Sequence, residues 1–399
     1  MKKNINNLLF IYLFTLLLFS FFFLYTKYPV TNDSTISEWL INYEGGFTKR
    51  GVMGQISIFF ARIFNQELRW IIYLLQDIAC TIYFILIFNF LKNLSYNRIS
   101  LLSIFSPIFL LYPIAEIEVL ARKEIIIFSI YLTYLLIPRT SLIKNLSLML
   151  TFVLSILVWE PVIFFLPIFL LIEIIEKKIS QLNMEIFITI FMFAPGILIG
   201  FYFAINPLGV ENYEIMASIL RNEFNENCYM SCQMIKTKSS IAQQFEQYKV
   251  YTFETTIRYI LIIFIGFFPL FSLLKNASLK IKNIFFINKF KNLLYPVLLC
   301  LIPVIVLFAM GYDWGRWVNI TYVFTIIFYF HLQKNNLIET NKNLQKNLIN
   351  KLSKNLFIIL FIFFCFGWNP KTTITGDVAS FPGYRIPYKT ISYFVRGHF

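Results

Sequence analysis

The chain has 399 residues, of which 58% are hydrophobic, 19% aromatic and only 14% charged. Soluble domains carry about 25% charged residues, and a chain of this size with so few charges cannot cover its apolar surface in water. Long charge-free runs recur along it, so the composition predicts a multi-spanning membrane protein and excludes soluble, disordered and fibrous classes.

The formal net charge of +14 raises the question of a nucleic-acid partner. Lysine and asparagine cluster in alternate loops between the apolar runs, beginning with Lys2 and Lys3. Placing these loops on the cytoplasmic side lets them account for the whole net charge, as the positive-inside bias of membrane proteins requires. We therefore expect no nucleic-acid partner, a cytoplasmic N-terminus and a C-terminus on the outer, periplasmic side.

The first apolar run, residues 8–25, has no charge and no signal-peptidase cleavage motif after it, so we interpret it as an uncleaved span. Residues 26–69 then form a first outer loop. Its segment 51–64 has an amphipathic pattern typical of a helix that lies along the membrane interface. Residues 70–91 form the second predicted span.

Two regions, 100–137 and 146–175, each contain two short apolar runs separated by polar residues. A helix as short as these runs rises about 20 Å, less than the roughly 30 Å hydrocarbon core. Reading each region as a hairpin, with limbs 100–112, 125–137, 146–158 and 162–175, keeps all basic clusters on one side. Short hairpins are tolerated where their ends line a protein cavity.

The remaining predicted spans are 186–205, 256–274, 293–310, 318–332 and 356–367. The sequence thus predicts an all-α polytopic membrane protein with about eleven transmembrane helices, including short hairpin spans, and an outward-facing cavity. Residues 1–367 form the multi-span domain, with a large outer loop at 206–255. Residues 368–399 form an outer C-terminal tail. Cys228 and Cys232 lie in the large outer loop. The sequence allows either a disulfide between them or two free thiols.

Ionisable residues at the span ends concentrate on the predicted outer side. Charged groups at this depth are costly unless paired or hydrated, which makes them candidates for function. A purely structural role is the alternative for these residues. Arg122 and Lys123 can extend their charged groups from a helix end to the membrane interface, and Asp313 can form an ion pair with Arg316 alone. The candidates are Asp33, Glu44, Lys49, Arg50, Arg122, Lys123, Glu160, Asp313 and Arg316.

Motifs of soluble enzymes do not occur in the sequence, which has no GxxxxGK[ST], GxGxxG, HExxH or GxSxG. Carboxylates with Arg and Lys, without His or Cys, favour acid/base work on a hydroxyl beside a phosphate leaving group. These residues indicate no cofactor and no metal site, although a divalent metal is compatible with them.

A resemblance follows from residues 43–54, YEGGFTKRGVMG, which look like the GGF-x-[RK]-RG-x-x-G pattern of uncharacterised bacterial polytopic proteins associated with envelope polysaccharides. The acidic first outer loop, the short hairpins and the outer Arg and Lys residues also resemble GT-C-type integral membrane glycosyltransferases. The resemblance implies an enzyme of the bacterial inner (plasma) membrane that takes a sugar from a polyprenyl-phosphate donor. It also implies that a carboxylate of the first outer loop is the catalytic base.

The leading hypothesis is a glycosyltransferase that acts at the outer face of the bilayer on a glycan or lipid acceptor. Asp33 or Glu44 would deprotonate the acceptor hydroxyl, with Glu160 and Asp313 as alternatives. Five cations would hold the donor phosphate: Lys49, Arg50, Arg122, Lys123 and Arg316. Four aromatic side chains would stack on sugar rings: Trp39, Tyr43, Trp159 and Trp314.

The alternative hypothesis is a transporter or flippase of an anionic lipid-linked saccharide, which would translocate its substrate without breaking a bond. Transporters often contain inverted repeats and ionisable residues near the membrane midplane. This sequence shows no evident repeat, and its candidate residues gather at one face. A purely structural membrane protein has no positive feature in the sequence.

Overall fold

A computed structural model describes residues 2–30, 33–137, 141–237, 246, 252–281, 283–311, 313–340, 348–371 and 379–380. The described chain is mostly helical, with almost no sheet, as the composition predicts. The predicted C-terminal tail and the second half of the large outer loop lie mostly outside the described residues.

The helices in chain order are α1 (Lys2–Lys27), α2 (Ser34–Trp39), α3 (Gly51–Phe64), α4 (Leu68–Leu91), α5 (Arg98–Ile104), α6 (Tyr112–Ala115), α7 (Glu124–Leu136), α8 (Ser141–Val158), α9 (Leu166–Glu176), α10 (Met184–Ile205), α11 (Val210–Phe224), α12 (Met230–Gln233), α13 (Phe253–Lys275), α14 (Leu294–Cys300), α15 (Ile305–Met310), α16 (Trp314–Lys334), α17 (Leu348–Lys351) and α18 (Lys354–Phe366). The described strands form two antiparallel pairs, β1 (Ala277–Leu279) with β2 (Ile338–Thr340), and β3 (Asn369–Pro370) with β4 (Ala379–Ser380). In the first pair Ala277 lies opposite Thr340, so the ladder joins the segment after α13 to the segment after α16.

Within the described residues, four helical segments are long and apolar enough to cross a membrane: Asn4–Lys27, Leu68–Leu91, Met184–Ile205 and Phe253–Lys275. They carry large exposed apolar side chains such as Phe191 and Phe264, which are 71% and 64% exposed. Apolar surface along whole helices is expected where lipid rather than water is the solvent. The structure is therefore consistent with a membrane protein, while the larger number of about eleven spans stays a prediction.

Helix α16 lies at the centre of the bundle, because every side chain from Gly315 to Leu332 is buried. A helix buried on all sides belongs to the core of a large protein. Helices α7, α9 and α13 pack around it. The ring of Phe324 on α16 packs against those of Phe165 and Tyr131, with centroids 4.4 and 4.8 Å away. The middle of the bundle is thus an aromatic core.

The first limb of the first predicted hairpin is not the single helix predicted over 100–112. Helix α5 ends at Ile104, and residues 105–111 form turns that are buried inside the protein. Pro107 explains the break, because proline has no backbone N–H and disfavours the helical conformation of the residue before it. Asn319 of α16 donates from Nδ2 to the carbonyl oxygens of Ile108 and Phe109, at 2.5 and 3.1 Å. The non-helical backbone is therefore satisfied by protein, as it must be at membrane depth.

The second predicted hairpin is present as two helices joined at a reversal of the chain, while its crossing of a membrane stays a prediction. Helix α8 ends at Val158 and is followed by a 3-10 turn, Glu160–Phe165, before α9 begins. Lys144 near the start of α8 lies 2.6 Å from the carboxylate of Glu176 at the end of α9. The chain must therefore reverse between them, at the Trp159-Glu160-Pro161 break.

The span predicted over 293–310 is segmented in the structure. It consists of α14, a 3-10 turn at Ile302–Val304, and α15. Pro303 cannot donate the hydrogen bond that a continuous α-helix needs, and its ring clashes with the preceding turn. Helix α16 begins at Trp314, four residues before the predicted span 318–332.

One end of the bundle is covered by a small subdomain, the cap, which has its own hydrophobic cluster. It consists of α2, α3, α11 and α12, and it packs on the start of α4. Arg62 of α3 pairs with Glu223 of α11, and Cys228 and Cys232 form a disulfide beside α12. The helix predicted over 51–64 matches α3, whose Phe59 and Phe64 side chains are exposed.

Candidate functional site

Side chains from five separate segments meet at the end of the bundle beneath the cap, where they form what we term the charged cluster. Its segments are α2, the residues before α3, the start of α7, the 3-10 turn after α8 and the start of α16. Five cations and four carboxylates leave it with a small formal positive charge. The members are Glu38, Lys49, Arg50, Arg122, Lys123, Glu124, Glu160, Asp313 and Arg316.

The first part of the charged cluster is the ion pair between Arg50 and Glu160. Arg50 donates from Nε and Nη2 to the two carboxylate oxygens of Glu160, at 2.8 and 3.0 Å, and Lys49 Nζ lies 3.8 Å from the same carboxylate. Burial alone would raise the pKa of Glu160, but the charges of Arg50 and Lys49 and the hydrogen bonds from Arg50 lower it to about 2. Glu160 is therefore a firmly ionised partner and a poor proton acceptor.

The second part of the cluster is built around Arg316. Its guanidinium contacts the carboxylates of Glu124, Glu38 (3.2 Å) and Asp313 (3.5 Å). Arg122 Nη1 lies 3.6 Å from both Glu38 and Asp313. Burial would raise the pKa of Glu38, but the charges of the surrounding arginines lower it to about 2. Two arginines from different segments of the chain thus share the same two carboxylates.

Lys123 joins the two parts. Its side chain is completely buried, and Nζ donates to the backbone carbonyl of Arg50. Burial lowers the pKa of Lys123 to about 7, although the nearby charges of Glu38, Glu160 and Glu124 act in the opposite direction. The charge of the cluster is therefore sensitive to pH near neutrality.

The backbone at the cluster adopts conformations that non-glycine residues rarely take. Arg50 and Ala121 have φ angles of 63° and 51°, in the left-handed region. Such conformations cost about 1–3 kcal/mol each and concentrate at functional sites. The carbonyl of Ala121 accepts a hydrogen bond from Trp39 Nε1, and that of Arg50 accepts one from Lys123. Both unusual residues are thus fixed by side chains from other segments.

Several buried polar atoms at the cluster have no hydrogen-bond partner within the described residues. They are Glu38 Oε2, Tyr112 Oη, Arg122 Nε, Trp159 Nε1 and Asp313 Oδ1. Buried polar groups are almost always satisfied in native proteins, so unpaired ones call for a water, an ion or a ligand. The cluster therefore contains both hydrogen-bond donors and acceptors that have no partner among the described residues.

A cavity of about 20 Å³ lies beside Arg316 and Glu124, lined also by Tyr112 and Asn319. This volume is large enough for a water molecule and too small for a sugar ring. The outward-facing cavity predicted from the sequence is not seen at this position, and stays a prediction. In the described chain, no group of His, Cys, Asp or Glu side chains has the arrangement of a metal site.

Asp33, a predicted catalytic base, is engaged elsewhere. Its Oδ1 accepts from the backbone N–H of Thr35 at 2.8 Å and caps α2, and its Oδ2 accepts from Lys27 Nζ at 2.5 Å. Burial would raise the pKa of Asp33, but the hydrogen bonds from Lys27 and Thr35 lower it. These contacts lie outside the charged cluster, and the predicted role of Asp33 as a base stays a prediction.

Glu44, the other predicted base of the first outer loop, also lies outside the cluster. It accepts from Arg62 Nη1 at 2.9 Å and from Gln55 Nε2 at 3.0 Å. The hydrogen bond from Arg62 is the main cause that lowers the pKa of Glu44. Glu44 thus ties the loop to α3, and it does not contact the arginines of the cluster in the described chain.

The four predicted sugar-stacking residues differ in exposure. Trp39 and Trp159 are fully buried, and Trp159 packs against Trp317 with ring centroids 5.8 Å apart. Tyr43 and Trp314 are half-buried, and Trp314 Nε1 donates to the carbonyl of Phe308 at 2.9 Å. Stacking on a sugar is therefore compatible with the present positions of Tyr43 and Trp314, but requires movement of the two buried tryptophans.

Glu38 and Glu124 belong to the cluster but are not among the site residues predicted from the sequence. Glu124 directly follows Arg122 and Lys123, so its position beside two predicted residues was the available signal. Glu38 lies on α2, a helix of six residues, which is too short to show a periodic pattern. Only the folded chain places it between Arg122 and Arg316.

A second group of buried ionisable residues, the His331 cluster, lies at the opposite end of α7, α9 and α16. His331 Nε2 is 2.6 Å from Glu176, which also pairs with Lys144. Lys177 pairs with Glu173 at 2.9 Å, and Glu173 accepts from the hydroxyl of Tyr134. The aromatic core around Phe324 lies between the two clusters.

No protein-family model, curated protein or solved structure matches this chain. The resemblance to GT-C-type glycosyltransferases therefore stays a prediction, and function has to be argued from the charged cluster itself.

Proposed function

We propose that the protein is a membrane glycosyltransferase that moves a sugar from a polyprenyl-phosphate-linked donor to a hydroxyl of a glycan or lipid acceptor. The observation that carries this proposal is the charged cluster, in which five cations and four carboxylates from distant segments are brought together beneath the cap. Buried ionisable groups in a membrane protein are costly and are retained chiefly for function.

The cations supply what a phosphate leaving group needs. In the transfer step the bond between the sugar carbon and the phosphate oxygen breaks, and its electron pair stays on the polyprenyl phosphate. Arginine forks bind phosphate oxygens in bidentate fashion, and preorganised cations stabilise the charge that develops on them. Arg50, Arg122 and Arg316 are held in place by carboxylates before any ligand arrives.

Asp313 is the best-placed proton acceptor among the cluster carboxylates. Its contacts with Arg122 and Arg316 are long, at 3.6 and 3.5 Å, and its Oδ1 has no partner among the described residues. It is also partly accessible, with 17% of the side chain exposed. Asp313 would take the proton of the acceptor hydroxyl while the hydroxyl oxygen forms the new glycosidic bond.

The interior of the bundle favours transfer over transport. A transporter needs a route that links sites on both sides of the membrane. Here the ring of Phe324 packs against Phe165 and Tyr131 in the middle of the bundle, between the charged cluster and the His331 cluster. In this conformation the aromatic core separates the two clusters.

The disulfide supports an outward orientation of the charged cluster. Cys228 and Cys232 are joined in the cap, and Ser231 between them accepts a 2.8 Å hydrogen bond from the hydroxyl of Ser37 on α2. Disulfides persist in extracellular or periplasmic compartments and are rare in the cytosol. An outer position agrees with lipid-linked sugars as donors and with a basic cytoplasmic face.

The proposal is tested by sugar transfer in proteoliposomes that contain the purified protein, radiolabelled polyprenyl-phosphate sugars and a lipid extract as acceptor. Asp313→Asn removes the proton acceptor with little change in shape, so transfer should fall by about 10²–10⁴-fold. Binding of the polyprenyl phosphate should be retained, because the arginines are untouched.

Glu223→Gln is the matched control, because Glu223 pairs with Arg62 outside the cluster. It should transfer at the wild-type rate. Undiminished transfer by Asp313→Asn would contradict the assignment of the base. Accumulation of an intact lipid-linked saccharide in the opposite leaflet, with no product, would favour the transporter or flippase instead.

A further inference from the structure

We propose that the fork formed by Lys49 and Arg50 at the start of α3 is a phosphate-binding site, and that the Glu160 carboxylate occupies it in the ligand-free protein. Ligand binding then replaces Glu160, so this residue acts as an internal competitor and not as a catalyst. The identity of the natural ligand, a polyprenyl phosphate, rests on the proposed function. The competition itself does not.

The shape of the contact supports this reading. Arg50 Nε and Nη2 each bind one oxygen of Glu160, at 2.8 and 3.0 Å, and Lys49 approaches the same group at 3.8 Å. A phosphate presents two oxygens to an arginine fork in the same bidentate way as a carboxylate. The Glu160 carboxylate thus stands where two non-bridging phosphate oxygens would bind.

The backbone at the same place also suits an anion. Arg50 is the N-cap residue of α3, and no side chain in the described chain caps the first turn. The first backbone N–H groups of a helix of this length are therefore open donors that favour an anion. A Cβ on Gly51 would lie 2.2 Å from the ring of Tyr43, so glycine lets the chain pass close to this ring.

Two buried polar groups accompany the fork, one in contact with Arg50 and one adjacent to Glu160 in the sequence. Trp159, directly before Glu160, is fully buried, and its Nε1 has no hydrogen-bond partner among the described residues. Lys123 is also fully buried, and its Nζ lies against the carbonyl of Arg50. Lys123 thus adds a third cation against Arg50, as a phosphate site requires, and the Trp159 indole is a buried donor that lacks a partner among the described residues.

Glu160 is well placed to leave the fork. It lies in the 3-10 turn between α8 and α9, and not within either helix. Its side chain is 20% exposed, against 5% for Arg122 and 3% for Glu38. Rotation of its side chain would open the fork without unwinding α8 or α9.

The inference is tested by titrating the full-length protein in detergent with farnesyl phosphate, with farnesol as the phosphate-free comparison. Glu160→Gln removes the competing charge and keeps the shape of the side chain. It should tighten binding of farnesyl phosphate by about tenfold or more, a change of about 1.4 kcal/mol, and leave binding of farnesol unchanged.

Glu223→Gln is the matched control for this experiment. Glu223 binds Arg62 through Nε and Nη2 at 2.7 and 2.8 Å, in the geometry of the Glu160–Arg50 pair but at the rim of the cap. The control should bind farnesyl phosphate as the wild type does. Folded Glu160→Gln protein that binds farnesyl phosphate no more tightly than the wild type overturns the inference.

Because loss of a buried charge partner can prevent folding, Glu160→Asp serves as a second variant. It keeps the charge but is one methylene shorter, so it cannot reach both nitrogens of Arg50 as Glu160 does. It should also bind farnesyl phosphate more tightly than the wild type, by a smaller factor, and unchanged binding again counts against displacement. Tighter binding without sugar transfer would refute the proposed function alone, whereas transfer without tighter binding would refute this inference alone.

Discussion

Each carboxylate at the charged end is held by a different set of donors, and that set decides what the carboxylate can do. Asp33 is fully engaged by Lys27 and by the start of α2. Glu160 accepts hydrogen bonds from Nε and Nη2 of Arg50. Asp313 alone combines long ion pairs, partial exposure and an oxygen without a partner among the described residues.

Asp33 provides a test of whether a carboxylate in the first outer loop is structural. Asp33→Asn keeps an oxygen that can cap α2 but loses the charge facing Lys27. We expect the free energy of unfolding to fall by about 1–3 kcal/mol, seen as a lower thermal unfolding temperature in detergent. Asp33→Ala should lower the free energy of unfolding by about 1 kcal/mol more, because it also removes the side chain that caps α2. Transfer per folded molecule should be unchanged in both variants.

The stability difference between the wild type and Asp33→Asn should change with pH in one direction. The pKa of Asp33 is lower in the folded protein than the value of about 3.9 in an unfolded chain. Its stabilisation is therefore present above about pH 4 and is lost as the pH falls through the folded value. The difference in unfolding temperature between wild type and Asp33→Asn should narrow on acidification. A catalytic Asp33 would instead show lost transfer with unchanged stability.

The sequence indicated which charged residues lie on the same side of the membrane. It did not indicate which of them form ion pairs. The positive-inside pattern placed Arg50, Arg122, Glu160 and Arg316 on one side, and the structure brings these side chains together. Whether a carboxylate meets an arginine or a helix end depends on tertiary placement. For that reason Asp33 and Glu44 could not be separated in advance from Glu160 and Asp313. Their functions stay predictions.

At the scale of elements, the broken segment between α5 and α6 depends on one side chain of the central helix. Asn319 Nδ2 donates to the carbonyls of Ile108 and Phe109. Asn319→Leu has a similar volume but leaves both buried carbonyls without this donor. We expect the free energy of unfolding to fall by about 1–3 kcal/mol, measured as a lower thermal unfolding temperature.

Asn206→Leu is the control for this substitution, because Asn206 is exposed at the end of α10 and bonds only the nearby carbonyl of Tyr202 in the described chain. It should unfold at nearly the wild-type temperature. Equal unfolding temperatures for Asn319→Leu and the control would show that α16 does not hold the broken segment.

Proline position alone does not predict such breaks. Pro195 and Pro269 lie inside α10 and α13 without ending them, whereas helix stops before Pro107. Near Pro107, Asn319 supplies a donor to two carbonyls of the non-helical backbone. This donor comes from a residue more than 200 positions away in the chain. Hairpins and long helices could therefore be predicted from apolar runs, while the broken limb could not.

For the whole molecule, the polar chemistry is divided between two ends. The charged cluster and the cap lie at one end, and the His331 cluster lies at the other. Helix α16 connects them, with Arg316 near its first turn and His331 near its last. The cap disulfide supports the charged end as the outer one. The account as a whole therefore depends on lipid phosphate binding at the charged end.

The most direct test is photo-crosslinking of the protein in proteoliposomes with a polyprenyl phosphate that carries a diazirine next to its phosphate. Mass spectrometry of the labelled peptides should find the label in residues 38–50, 122–124, 159–160 and 313–317, and excess farnesyl phosphate should prevent labelling. Labelling concentrated around Lys144, Glu176 and His331, or labelling that farnesyl phosphate does not reduce, would contradict the account.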